Sequence, residues 1–91
     1  MPYLLVRHAV EDVERWREDF DDHAPQRAAA GLEGGYILED LDGDGFVTVM
    51  MAFERDRTEA VRAYAAALKV ALKAAGVNKP LMCLLDDAIE V

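Results

Sequence analysis

Apolar positions along the chain change period several times, and each change marks an element. Residues Tyr3 to Val10 are rich in Leu and Val and alternate like a strand, with Leu4, Val6 and His8 on one face and Tyr3, Leu5 and Arg7 on the other. From Asp12 the period lengthens. Val13, Trp16, Phe20 and Ala24 recur at steps of three and four, the stripe of an amphipathic helix. Asp12 can cap its start by accepting from free amides of the first turn, and Gly31 suits its stop. Pro25 removes a backbone donor and crowds the carbonyl of Asp21, which predicts a kink or a short second segment from Pro25 to Ala30.

"GGYILEDL" and "FVTVMMAF" read as two strands around "DGDG", a hairpin. The next stretch, "RDRTEAVRAYAAALKVALKAAG", places Val61, Tyr64, Ala65, Leu68, Leu72 and Ala75 on one helical face over 57–75, with Gly76 as the stop. Asp56 and Glu59 have the spacing of a capping box at its start. A last strand is expected over Leu81 to Leu85, with an extension toward Ile89 open. The order β-α-β-β-α-β in one domain, residues 1–91, predicts an α+β, ferredoxin-like fold: a four-stranded antiparallel sheet with both helices on one face.

That arrangement leaves a face uncovered. In the third strand Val47, Val49, Met51 and Phe53 point one way and Phe46, Thr48, Met50 and Ala52 the other; in the last, Leu81, Cys83 and Leu85 oppose Met82 and Leu84. Strands apolar on both faces are expected to be buried on both, and two helices cover one. Burying roughly 600 Å² of apolar surface per chain contributes about 15 kcal/mol before association entropy is subtracted. A homodimer packed sheet to sheet through a two-fold axis, forming a dimeric α/β barrel, is the expected solution.

Composition narrows the partners. The 91 residues carry a formal charge of −8, which disfavours nucleic acid and anionic membrane. No apolar run is long enough to cross a bilayer, and "MPYLLVRHAV" lacks the basic start of a signal peptide. The single cysteine, Cys83, precludes an internal disulfide and fits a reducing compartment, so a cytoplasmic location is expected.

"EDLDGDGFV" opens like a calcium loop, since Asp40, Asp42, Asp44 and Gly45 fall at the first, third, fifth and sixth positions. The twelfth position is Met51, which cannot coordinate a hard cation, and the flanks are strands. The glycines and aspartates instead suit a tight turn.

Few residues remain for chemistry. His8 shares the face of Leu4 and Val6, while Trp16, Phe20, His23 and Arg27 border one side of the first helix, so the two histidines can approach one space. An imidazole pair there can shuttle protons near neutral pH. The alternative is two histidines at a core edge, each satisfied by a backbone carbonyl. A metal site adding Asp19 or Asp22 has no ligand-spacing motif behind it. Trp16 reads first as core; Tyr36 and Tyr64 are hydroxyls that face either a pocket or water. Cys83 reads as an inert thiol within an apolar strand. Serine is absent, which excludes serine nucleophile chemistry.

The stretch "VRHAVEDVERWREDFDDHAPQRAAAGLEGG" resembles the opening of small proteins of the dimeric α/β-barrel superfamily, the group that includes antibiotic biosynthesis monooxygenase-like domains. The likeness runs through Val6-Arg7-His8, Trp16, Phe20, His23-Ala24, Arg27, the Ala-Ala-Gly stop, Gly34-Gly35 and the late "AAGV" before a proline-led strand. It implies two ferredoxin-like protomers whose sheets form a barrel, each with a pocket between sheet and helices. Cofactor-free oxygenases of polycyclic aromatic substrates, polyketide cyclases, lactone isomerases and haem-degrading enzymes share that architecture. The haem-degrading type holds iron through a histidine on the second helix, and the helix over 57–75 has none, so no cofactor is expected.

The function expected is therefore a homodimeric pocket protein for a small apolar or aromatic metabolite. If it turns over, His8 or His23 is the candidate base and Arg7 or Arg27 the candidate partner of a developing enolate, with Trp16, Phe20, Tyr36 and Tyr64 lining the site. A non-catalytic dimerisation module with structural histidines is the alternative, and a metal-binding protein the third reading.

Overall fold

A computed structural model describes residues 1–91. Strand β1 (Tyr3–Ala9) leads to helices α1 (Val13–Asp22) and α2 (Ala24–Ala30), then to β2 (Leu32–Glu39) and β3 (Phe46–Phe53). A 3-10 turn (Arg55–Arg57) precedes α3 (Thr58–Ala74), and β4 (Leu81–Leu85) closes the order. The sheet order β2-β3-β1-β4, antiparallel throughout, is that of the expected ferredoxin-like fold.

Local chemistry accounts for most boundaries. The Asp12 carboxylate accepts from the Arg15 amide at 3.1 Å, the cap expected of it. Pro25 falls in the first turn of α2, where a missing amide costs nothing, so the chain breaks into two helices with His23 at the junction. Gly31 ends α2 in the left-handed region at φ 94°. At the end of α3 the Val77 amide donates to Leu72 and the Gly76 amide to Lys73, a Schellman closure that folds Val77 back over the helix.

Three expected boundaries differ. The Asp56–Glu59 capping box does not form: Asp56 lies inside the 3-10 turn, the helix starts at Thr58, and the Thr58 hydroxyl donates to the Arg55 carbonyl at 2.5 Å. Strand β2 begins at Leu32, two residues before the glycine pair, because a bulge between Leu32 and Gly35 lets the chain pair with β3 before and after it. A Cβ on Gly35 would lie 1.7 Å from the Met50 carbonyl oxygen, so only glycine permits that approach. Strand β4 stops at Leu85 and does not reach Ile89, which is exposed.

Burial follows the pleat. Leu4, Val6 and His8 of β1 and Val47, Val49, Met51 and Phe53 of β3 are buried against the helices. The helices contribute only one fully buried side chain, Val61, while Trp16, Phe20, Tyr64, Leu68 and Leu72 pack half-buried on the core. The helix layer rests on the sheet without sealing to it everywhere. That gap becomes the site.

Candidate functional site

The larger opening is a cavity of about 390 Å³ between α1 and α3 over β1 and β3. Val6, His8, Val49 and Met51 line it from the sheet and Leu68, Leu72 and Val77 from the α3 side; Trp16, Phe20, His23 and Arg27 close it from α1 and α2. His8 and His23 thus share one space, as their positions predict. The aromatic wall is ordered by contact: Trp16 stacks on Phe20 at 5.2 Å between centroids, and His8 meets the edge of Trp16 at 6.2 Å.

Both imidazoles bond to backbone carbonyls. His8 Nδ1 lies 2.9 Å from the carbonyl oxygen of Ala9, and His23 Nδ1 lies 2.7 Å from that of Asp19. A carbonyl only accepts, so in each neutral ring the proton sits on Nδ1 and the lone pair on Nε2. This satisfies the structural reading of the two residues and equally sets both up as acceptors. His8 is 6% exposed, yet no sealed side-chain nitrogen or oxygen lacks a partner. Its Nε2, which makes no hydrogen bond, therefore opens into the cavity it lines.

Arg27 extends from α2 over the Phe20 ring, its Cζ 3.6 Å from the centroid, and donates to the Phe20 backbone carbonyl. Tyr64 packs half-buried on the core beside this charge; burial raises its hydroxyl pKa, and Arg27 offsets only part of the rise. Tyr64 does not line the cavity that holds the two histidines. Tyr36 pairs with Met50, which sets its side chain on the open face of the sheet, and it is among the residues that line a smaller cavity at β2.

Arg7 is not brought to the pocket. It lies on the sheet face opposite His8, where two hydrogen bonds of 2.7 Å join it to the Asp40 carboxylate and a third of 3.0 Å to the Thr48 hydroxyl. Its guanidinium also lies over Phe46 at 4.7 Å. The Arg7 hydrogen bonds hold the Asp40 carboxyl below the ordinary carboxylate range. Asp40 is the first residue of the calcium-like series, and its oxygens serve Arg7. Asp19 reaches the cavity, but no group of three or more His, Cys, Asp or Glu side chains is placed to hold a metal ion.

The walls from Met51, Leu68, Leu72 and Val77 do not stand out in the sequence as site residues. The α3 stripe was visible there as a core face; that it stops short of the sheet is not a property of periodicity. The α3 wall of the cavity, Leu68, Ala71 and Leu72, carries no histidine; the cavity's two imidazoles, His8 and His23, come from β1 and the α1–α2 junction.

No protein-family model matches the sequence, and no curated protein does. Three solved structures superpose over nearly its whole length. A Deinococcus radiodurans protein provisionally assigned as an antibiotic biosynthesis monooxygenase shares 13% identity at a TM-score of 0.69, covering 100% of this chain and 96% of its own. A mutant of MhuD, with two manganese protoporphyrin IX molecules bound per active site, shares 17% at 0.66, covering 100% and 98%. A dimeric ferredoxin-like protein from an uncultured marine organism shares 17% at 0.65, covering 99% and 96%. The chain has the ferredoxin-like α+β fold of these three structures, the fold that the sequence resemblance implies.

Proposed function

We propose that this protein is a homodimeric pocket protein that admits a small apolar or aromatic metabolite between helices and sheet and deprotonates it without a cofactor. One observation carries the reading: a mostly apolar cavity lined by two imidazoles, each bonded through Nδ1 to a backbone carbonyl, with the His8 Nε2 free of any hydrogen bond. His8, the deeper of the two, takes a proton from an acidic C–H or phenol of the substrate. His23, exposed at the rim, exchanges protons with water, and the free donors of Arg27 stabilise the anion formed.

A carbanion or enolate made in this way either closes onto an internal carbonyl, as in a cyclase, or reacts with dioxygen. In the second case a CH₂ becomes C=O and the other oxygen leaves as water, with the substrate's two C–H bonds supplying all four electrons. The neighbouring fold of a provisional monooxygenase supports that branch. The open sheet face, where Tyr36, Leu38 and Leu81 are 63%, 50% and 54% exposed, supports pairing with a second copy, and one neighbour is itself dimeric.

Anthrone in deuterated buffer tests the chemistry. Without oxygen, the protein is expected to accelerate exchange of its CH₂ protons, followed by NMR. His8→Asn is expected to lower that rate by about 10²–10⁴-fold while binding persists. Binding with no acceleration in wild type would leave a non-catalytic module with structural histidines.

A further inference from the structure

Two cavities meet at one pair of side chains. The smaller, about 280 Å³, lies beside α2 at the outer strand, between Ala24 and the Gly34–Gly35 backbone. Phe20, Arg27 and Met51 line both this cavity and the 390 Å³ one. Met51 is 5% exposed and belongs to the packed floor. The movable part of the partition is therefore Arg27 lying on Phe20.

Both partners that hold Arg27 there are neutral: a ring face and a backbone carbonyl. Arg7, Arg17, Arg55 and Arg62 each have a carboxylate at ion-pair distance, and Arg27 has none. It is a permanent cation at the junction of two mostly apolar cavities, and most of its five N–H donors are unused. A charge held in such surroundings gains more from an anion than one facing water, because the competing solvent is thinned.

We propose that Arg27 is a gate that sets ligand length and charge. A ligand carrying one anionic oxygen group, a carboxylate or an enolate, draws the guanidinium off Phe20, and the two cavities become one channel from His8 to the Gly34–Gly35 bulge. The class of molecule that fits is elongated, apolar and singly anionic; a neutral molecule of the same length meets a closed partition. The inference rests on the larger cavity being a ligand site.

Quenching of Trp16, the sole tryptophan, reports binding directly. The probes are 2-anthroate and its neutral methyl ester. Wild type is expected to bind the acid at least about tenfold more tightly than the ester, the range of a charge-assisted hydrogen bond. Arg27→Met is expected to move the two in opposite directions, weakening the acid and strengthening the ester as the partition disappears; simple damage to the fold would weaken both. Should that variant not fold, Arg27→Lys keeps the charge without the planar stack, and is expected to retain the acid preference while admitting the ester more tightly. Equal wild-type affinities, a parallel loss in Arg27→Met, or loss of the acid preference in Arg27→Lys overturns the gate and leaves the pocket standing. Failure of wild type to bind either probe removes the pocket reading, and the gate falls with it.

Discussion

On its covered side the sheet presents Leu4, Val6, Val47, Val49, Met51 and Phe53, each 5% exposed or less. On its open side it presents Tyr3, Leu5, Met50, Ala52 and Cys83 half-buried, with Tyr36, Leu38 and Leu81 at least half exposed. Apolar content barely separates the two faces. Their polar residues do. His8 and Arg7 are adjacent in β1 and point to opposite sides. The imidazole, which can be neutral, is the polar side chain buried beneath the helices. The guanidinium, always charged, lies where a carboxylate and water can reach it. Which residue sits on which side follows from what each costs to desolvate.

Truncation on the covered side breaks the comparison most severely. Phe53 is 1% exposed at the centre of the core, and Phe53→Ala is expected to cost about 3–5 kcal/mol in urea unfolding. A loss below about 1 kcal/mol would mean that the helices do not seal this face at β3.

On the open side the expected injury is to association. Met50→Arg, between Leu5 and Tyr36 in the register, is expected to weaken the proposed dimer at least about 100-fold, or about 2.7 kcal/mol, with the protomer's circular dichroism unchanged. Sedimentation across a dilution series reads the mass directly. Wild type that sediments only as a 10.1 kDa particle at micromolar concentration removes the paired architecture.

The histidines sharpen the contrast at smaller scale. His8→Leu strips the Ala9 carbonyl of its donor and is expected to cost about 1–2 kcal/mol. His23→Gln, at an exposed rim, is expected to shift stability by less than about 0.5 kcal/mol. A loss at His23 as large as the one expected at His8, measured by thermal unfolding, would make both residues structural.

Much of this fold was legible because strand alternation and helical stripes are local signals. β1 and β3 bury every second residue as their sequences imply, and the α1 stripe brings Trp16, Phe20 and His23 to one side. What was not legible depends on distance between elements. No period tells that α3 leaves a gap above Val6 and Val49, or that Arg27 folds onto Phe20 rather than into solvent. Arg7 shows the limit most clearly. Its facing was readable from alternation, but its engagement by Asp40 joins residues 33 apart across a turn whose aspartates looked like metal ligands.

That pair supplies the mildest prediction. Asp40 titrates below its ordinary value when folded because Arg7 donates to both of its oxygens. A carboxylate with a lowered folded pKa adds stability that is complete above the unfolded value, about 3.9, and is lost as pH falls through the folded one. Asp40→Asn is therefore expected to flatten the acid limb of stability below about pH 4 and to leave the limb above it parallel to wild type. Asp86, lowered by its hydrogen bond from Arg55, acts with the same sign, so the two must be separated. Salt separates them: the Asp86 side chain is 78% exposed and the Asp40 side chain 21%, so added salt screens the first more than the second. An acid limb that Asp40→Asn leaves unchanged at any salt would show that this ion pair is as loosely held as one on an open surface.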